Sequence, residues 1–195
     1  MMISKEIILM MQLYQRLDEQ VLELQKKTGL ACMEGCGHCC YKKRVDVTPL
    51  ELIPLAEYLV KENSLDYWLD LLQAPNQHDT CVFYKPNLDN PEMGRCQVYP
   101  FRTCLCRLFG FALLKNRFNE SYLATCTIQK KQFPEVVKTA KAYAKTCSTV
   151  PSLLDYRFVL YEINPTLGSK YMHINDAARW VFDWVGLTYQ YQKFR

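Results

Sequence analysis

The sequence predicts a mainly α-helical fold with one small β-hairpin and long cysteine-anchored loops, an irregular α+β arrangement within a single domain spanning residues 1 to 195. Three observations carry this expectation. Apolar residues recur at helical spacing near the N-terminus, helix-start signals recur at Thr48, Ser64, Pro134 and Asn175, and a proline-broken stretch from 74 to 106 holds cysteines but little periodicity.

Ile3, Ile7, Met10, Tyr14, Leu17, Val21 and Leu24 alternate steps of four and three, the seam of an amphipathic helix. Such a seam serves a coiled-coil dimer or a helix packed on its own domain, and three heptads favour the second. Thr28 and Gly29 predict its end, because glycine takes the left-handed C′ conformation readily. Thr48-Pro49-Leu50-Glu51 combines an N-cap threonine, a proline at N1 and a glutamate at N3, a capping box that opens a second helix through about Lys61. Pro54 then either kinks this helix or delays its true start.

Ser64 predicts the cap of a short helix to about Gln73, with Leu65, Trp68, Leu69 and Leu72 on one face. Residues 74 to 106 read as irregular chain interrupted by Pro75, Pro86, Pro91, Gly94 and Pro100. A loop this long inside a domain calls for something to order it. FGFALLKNRFNESYLATC reads as a hairpin turning near Asn116, and Pro134 opens a helix to about Thr146 with Val136, Val137, Ala140, Tyr143 and Ala144 inward. A last helix is expected from Asn175 to Val185, capped by Asn175, with Ala177, Val181, Trp184 and Val185 facing the core.

Ten cysteines stand in the chain, four of them in the nine-residue string CMEGCGHCC at Cys32, Cys36, Cys39 and Cys40. Either disulfides or thiolate ligands account for such density. The N-terminal stretch lacks the cationic region, apolar run and small-residue cleavage site of a signal peptide, so the expected location is cytoplasmic and the thiols are expected reduced. A chain of this length also buries a core without disulfide staples, which become necessary mainly below about 80 residues. Metal ligation is the reading that remains, and it gives the loops a metal-centred core.

The formal charge of +4 counts every thiol as neutral, whereas ligating thiols are thiolates. Lys42 to Arg44 and the pair Lys130 and Lys131 are too short and scattered for a nucleic-acid footprint and read as solvated charge. No run approaches the roughly 18 apolar residues of a membrane span. The expected partners are a metal ion or cluster and a protein of unspecified kind, with neither nucleic acid nor membrane, and the oligomeric state is open.

Cys32, Cys36 and Cys39 have the C-x3-C-x2-C spacing of radical S-adenosylmethionine enzymes. The alternating strands and helices of their partial β/α barrels have no counterpart in this sequence. The adjacent pair Cys39 and Cys40 says more: consecutive side chains diverge on a strand and lie about 100° apart on a helix, which suits two neighbouring centres or a polynuclear one. Gly35 and Gly37 let the backbone bend around it. Cys81, Cys96, Cys106 and Cys126 bring the candidate thiols to eight. Cys104 shares a face with Cys106 if the segment is extended, and Cys147 continues the buried face of the helix after Pro134. His38 is a further candidate inside the block, with less in favour of His78 and His173. No phosphate-binding loop or dinucleotide fingerprint is present.

CMEGCGHCC followed by VDVTPLE, CVFY, GRCQVYP, an arginine ahead of a Cys-Arg pair and a final cysteine resembles the YkgJ-type cysteine-cluster family of zinc- or iron-chelating domains over roughly residues 28 to 130. Transferred position by position, the resemblance implies Cys32, Cys36, Cys39, Cys40, Cys81, Cys96, Cys106 and Cys126 as metal ligands, with Cys106 preferred over Cys104. It departs from the family at Thr103, where proline commonly follows the arginine, and at the additional Cys104. Arg102 and Arg107 flank the third ligand group and are expected to touch the cofactor, offsetting thiolate charge. Tyr99 reads as a packed ring with a satisfied hydroxyl.

The first functional expectation is a protein whose cysteines hold an iron–sulfur cluster or zinc. A second, from the likeness of the cysteine block to flagellin lysine N-methylases, is an iron–sulfur or S-adenosylmethionine-dependent enzyme that modifies protein. A third is a structural zinc domain for protein interaction.

Overall fold

The N-terminal apolar seam becomes helix α1, Ile3–Thr28, whose Met10, Leu13, Tyr14, Leu17 and Leu24 are buried. The computed structural model describes residues 3–41, 45–74, 80–90 and 93–193. The basic run at 42–44, His78, Pro75 and Pro91 lie outside the described residues. The helix ends as its sequence predicts. Gly29 takes φ +73 and donates to the Gln25 carbonyl at 2.8 Å, while the Thr28 hydroxyl donates to the Leu24 carbonyl at 2.7 Å. Its seam packs on the chain's own helices.

The remaining elements follow in order. A one-turn helix α2, His38–Tyr41, and strand β1, Asp46–Val47, precede a 3-10 turn, Pro49–Leu52, and helix α3, Ile53–Lys61. Thus Pro54 delays the α-helix rather than kinking it, since the first turn winds as 3-10 and regular α geometry begins one residue before the proline. The capping box forms, with the Thr48 amide and hydroxyl both donating to Glu51 Oε2 at 2.7 and 2.9 Å. Helix α4, Leu65–Gln73, buries Leu65, Trp68 and Leu72. Ser64 precedes it without capping it, because its hydroxyl turns back to the Leu59 carbonyl at 3.4 Å.

The stretch expected to be irregular carries short structure. Strands β2, Tyr84–Pro86, and β3, Gly94–Cys96, pair antiparallel, a 3-10 turn spans Tyr99–Phe101, and helix α5, Cys104–Leu108, follows. Three-residue strands are too short for alternation to betray them. The predicted hairpin is present as β4, Ala112–Lys115, and β5, Ser121–Ala124, closed by Asn116, whose Oδ1 accepts from the Phe118 and Glu120 amides. Helix α6 is Thr127–Gln132, α7 is Pro134–Tyr143, α8 is Leu153–Ile163 and α9 is Pro165–Gly168.

Strand β6, Met172–His173, pairs with β1 and so returns the C-terminal helix α10, Ile174–Lys193, to the first half of the chain. Helix α10 runs longer than expected and buries Ala177, Ala178, Val181, Phe182 and Val185, while Trp184 is half-buried and stacked on Trp180. Two hydrophobic clusters result. The larger joins α1, α3, α4 and α10 around Phe83 and Phe182, and the smaller joins Leu24 and Leu30 to the β4–β5 hairpin and α7. Among the described residues no helix is long and apolar enough to cross a membrane.

Candidate metal centre

A cavity of about 640 Å³ opens between the two clusters, taking Leu52, Phe83 and Ile174 from one and Phe111 from the other. All eight candidate thiols line it. The two remaining cysteines do not. Cys104 is fully buried in the larger cluster, its amide donating to Glu51 Oε1 at 2.8 Å. The segment is helical rather than extended, so residues two apart point to opposite sides and only Cys106 reaches the cavity. Cys147 packs against the smaller cluster but is only half-buried, with its sulfur 3.1 Å from both the Tyr143 and Thr149 hydroxyls.

The cysteine block is shaped by its glycines. Gly35 adopts φ +67 and its carbonyl accepts from the Gly94 amide at 2.9 Å, while Cys36 bridges Met93. Gly37 and Gly94 both admit the Tyr84 ring: a Cβ on Gly94 would lie 2.6 Å from Tyr84 Cε2, and one on Gly37 the same distance from Tyr84 Cζ. The ring therefore fixes the entry to α2, where the Cys40 and Tyr41 amides donate to the Gly37 carbonyl.

Cys39 and Cys40 lie on that single turn with their sulfurs 3.9 Å apart. Four thiolates around a tetrahedral zinc, with Zn–S near 2.3 Å, stand about 3.8 Å from one another. The helical turn thus brings both sulfurs to the cavity wall, at a spacing open to one centre or to two adjoining ones. The Cys40 carbonyl accepts from the Cys81 amide at 3.4 Å, and Cys96 sits in β3 opposite Tyr84. Cys126 occupies the N-cap of α6, its sulfur accepting from the Gln129 amide at 3.3 Å. Gln129 in turn accepts from the Cys126 amide and reaches the Ala31 carbonyl at 3.5 Å, tying Cys126 to the chain that carries Cys32.

These thiols disturb one another. Burial and then the charges of Cys39, Cys126 and Cys36 push Cys32 up to about 11. Burial also pushes Cys106 up to about 12 against the Thr103 hydroxyl, which donates to its sulfur. Cys39 is lowered to about 7 by the hydrogen bond from Cys40, whose own thiol is raised by making it. Burial and then the Cys106 charge raise Cys81. Among the described residues no group of three or more His, Cys, Asp or Glu is arranged to hold an ion, so the thiols line the wall without closing on a single point.

The two arginines behave differently. Arg107 is buried, and its donors engage Asp18, the Pro100 carbonyl at 2.6 Å and the Arg102 carbonyl at 2.9 Å, with its guanidinium 4.3 Å from the Tyr14 ring centre. Arg102 meets Asp18 at 3.3 Å and lies 3.7 Å over the Tyr99 ring, but its buried Nε has no hydrogen-bond partner. Its charge favours the thiolates of Cys32, Cys39 and Cys96. Tyr99 is thus an exposed ring beneath a cation rather than a packed one.

His38 lines the cavity, whereas His173 does not: its Nδ1 accepts from the Asn175 amide and its Nε2 is buried without a partner. Asp18, Gln129 and Tyr84 were not singled out in the sequence, and Thr103 and Asn175 were read there for other reasons than the contacts they make at the site. Asn175 does not cap its helix. Its side chain accepts from the Val82 amide at 2.9 Å and donates to the Thr80 carbonyl at 2.8 Å, holding the backbone on both sides of Cys81.

A family model described as "CxxCxxCC: Putative zinc- or iron-chelating domain" matches residues 31–148. That span contains all eight cavity thiols but neither Asp18 nor Asn175. No curated protein and no solved structure matches the chain significantly.

Proposed function

The chain belongs to the CxxCxxCC family of zinc- or iron-chelating domains, and from that premise we propose that its eight cavity thiols hold a polynuclear iron–sulfur centre, with zinc as the competing metal. One observation carries the reading: eight cysteines from five separate stretches of chain line one cavity, and the two that a ligand role does not need lie elsewhere. Their chemistry fits. Burial, and after it the charges of neighbouring thiols, raises Cys32 and Cys81, and a thiophilic cation offsets both while taking the protons' place.

Zinc and iron both accept four thiolates in tetrahedral geometry. The breadth of the cavity favours the cluster, since a lone zinc draws its donors to about 2.3 Å whereas inorganic sulfide fills space between irons. Arg102 is the side chain best suited to donate toward metal-bound sulfur, because its Nε–H is buried and uncommitted while the donors of Arg107 are engaged. The C-x3-C-x2-C spacing does not bring the radical-enzyme fold with it: the described strands form three two-stranded antiparallel pairs.

The test is metal and sulfide analysis of protein purified without oxygen. Brown protein containing iron and acid-labile sulfide is the expected result. Colourless protein with stoichiometric zinc and no sulfide reassigns the metal, and protein that holds neither overturns the reading.

A further inference from the structure

We propose that Gln129 is a positioning residue of the metal centre, its buried side-chain amide joining Cys126 to the chain that carries Cys32 so that the last of the eight thiols reaches the metal. The inference rests on the metal-binding reading above and adds the residue through which Cys126 ligates.

The chain around Cys126 is held unevenly. Upstream, the β4–β5 hairpin pairs as far as Ala124, and Thr125 is buried. Downstream, helix α6 buries no apolar side chain: the one residue that it buries is Gln129, 1 % exposed. Burying an amide costs free energy unless its polar atoms are paired, so an inward position on a helix ordinarily takes an apolar residue. Here both polar atoms are engaged. Oε1 accepts from the Cys126 amide at 2.9 Å, and Nε2 donates at 3.5 Å to the carbonyl of Ala31, a residue 98 positions away and next to Cys32.

Space for the amide is kept open from a third stretch of chain. Gly110, in the turn that follows α5 and its Cys106, takes φ +87, and a Cβ there would lie 2.7 Å from Gln129 Oε1 and 3.2 Å from Nε2. The amide therefore sits where three cysteine-bearing segments meet. A capping box needs only Oε1, which reaches back to the N-cap amide. The Nε2 contact with Ala31 and the slot beside Gly110 serve no cap; they fix where the Cys126 turn stands relative to Cys32. The backbone amide of Gln129 also donates to the Cys126 sulfur at 3.3 Å, and any side chain but proline leaves that N–H in place, so substitution separates the position of the thiol from this donation. Outer hydrogen bonds of this kind orient metal ligands without touching the metal.

Cobalt(II) titration of the reduced full chain under anaerobic conditions tests this, because the sulfur-to-cobalt charge-transfer band counts bound thiolates. Gln129→Met, similar in volume but without either polar atom, is expected to bind cobalt roughly 10- to 100-fold more weakly and to lose the same share of the band as Cys126→Ser, with no further loss in the double variant. Gln129→Glu keeps the shape and the acceptor for the Cys126 amide but not the donor to Ala31, and is expected to lose part of the band; should Gln129→Met fail to fold, this variant decides. A full band in Gln129→Glu or Gln129→Met overturns the proposal. So does a double variant that loses more of the band than Cys126→Ser alone, since Gln129 would then act through another ligand. A lowered urea midpoint in metal-free Gln129→Met with an unchanged band would make Gln129 a cap of α6 only, and equally overturns it. Wild type that binds no cobalt overturns the metal-binding reading itself, and the proposal with it.

Discussion

The Thr103 hydroxyl donates to the Cys106 sulfur across 3.2 Å, at the position where the resembling family commonly has proline. The backbone there suits proline, with φ −64 at Thr103 and ψ 138 at Arg102 before it. Threonine fits a backbone that proline could also take and adds a donor that works against the burial raising Cys106. Thr103→Val and Thr103→Pro are expected to fold but to bind zinc roughly 10- to 100-fold more weakly, with Thr103→Ser close to wild type. Chelator competition measures this, and equal affinity in the valine variant would deny the hydroxyl its role.

Gly37 and Tyr84 form the other contact that shapes the cysteine block. Because a Cβ at Gly37 would sit 2.6 Å from Tyr84 Cζ, Gly37→Ala must displace either the ring or the turn carrying Cys39 and Cys40. The overpacking should cost about 1–3 kcal/mol in urea unfolding and lower the metal content. In a Tyr84→Leu background the same substitution should cost less than about 1 kcal/mol, since the ring that it meets is gone. An equal cost in both backgrounds would separate glycine from ring.

What the sequence made legible was local. The α1 seam, its glycine end, the Thr48–Glu51 box and the Asn116 turn each depend on residues within a few positions, and each formed. The β1–β6 pairing joins Asp46 to His173 and leaves no local signature, so the return of α10 to the first half of the chain was invisible, as was the part Asn175 plays beside Cys81. Cys104 and Cys106 show the same limit from another side. Which of them faces the cavity depends on whether two residues span a strand or a helical turn, and only the fold decides that. The eight cavity thiols were named from residue type and, for Cys106 over Cys104, from the family resemblance, whereas Asp18, exposed on α1, gained its importance only from the arginines folded against it.

Asn175 is expected to matter although it lies beyond the family match. Asn175→Ala leaves the Val82 amide and the Thr80 carbonyl without this partner beside Cys81, at about 1–3 kcal/mol for each group left buried and unpaired. Asn175→Asp keeps the acceptor for Val82 but not the donor to Thr80 and should fall between. Urea midpoints rank the three proteins, and zinc affinity should follow the same order, because the Cys81 backbone loosens. A full-affinity alanine variant would confine Asn175 to the fold.

Glu51 gives the protein a pH dependence with a defined sign. Burial raises its carboxyl above the ordinary value, against the Thr48 and Cys104 donors that lower it. A folded pKa above the unfolded one, about 4.3, means that the folded chain binds more protons; the contribution is full below that pH and is lost as pH rises through the folded value. Glu51→Gln lacks this titration. The stability of the wild type relative to Glu51→Gln should therefore decline as pH rises from about 4 toward about 8, read by urea unfolding at each pH. A difference that grows over that range would contradict the sign.

Removing the metal should expose the chain around Arg95 first. This exposed residue immediately precedes Cys96 in a three-residue strand, and its pairing with β2 is the only sheet contact that the strand makes among the described residues. Either side of it the chain is held by buried Val82, Phe83, Val98 and Cys104 and by Asn175, Glu51 and Asp18, whereas β3 itself is half-buried or exposed and is expected to depend on ligation by Cys96. Helix α1 differs, because its seam packs into both hydrophobic clusters irrespective of metal. A ligand that binds only the folded site stabilises it by about 2.7 kcal/mol at a hundredfold excess over its dissociation constant, so its loss should speed local opening by roughly 10- to 100-fold. Limited trypsin digestion of metal-loaded and chelator-treated protein should show cleavage after Arg95 accelerating by that order while cleavage after Arg16 in α1 changes much less. Equal acceleration at the two sites would mean that metal holds the whole fold rather than this segment, and no acceleration at Arg95 would mean that the thiols there are not its anchors.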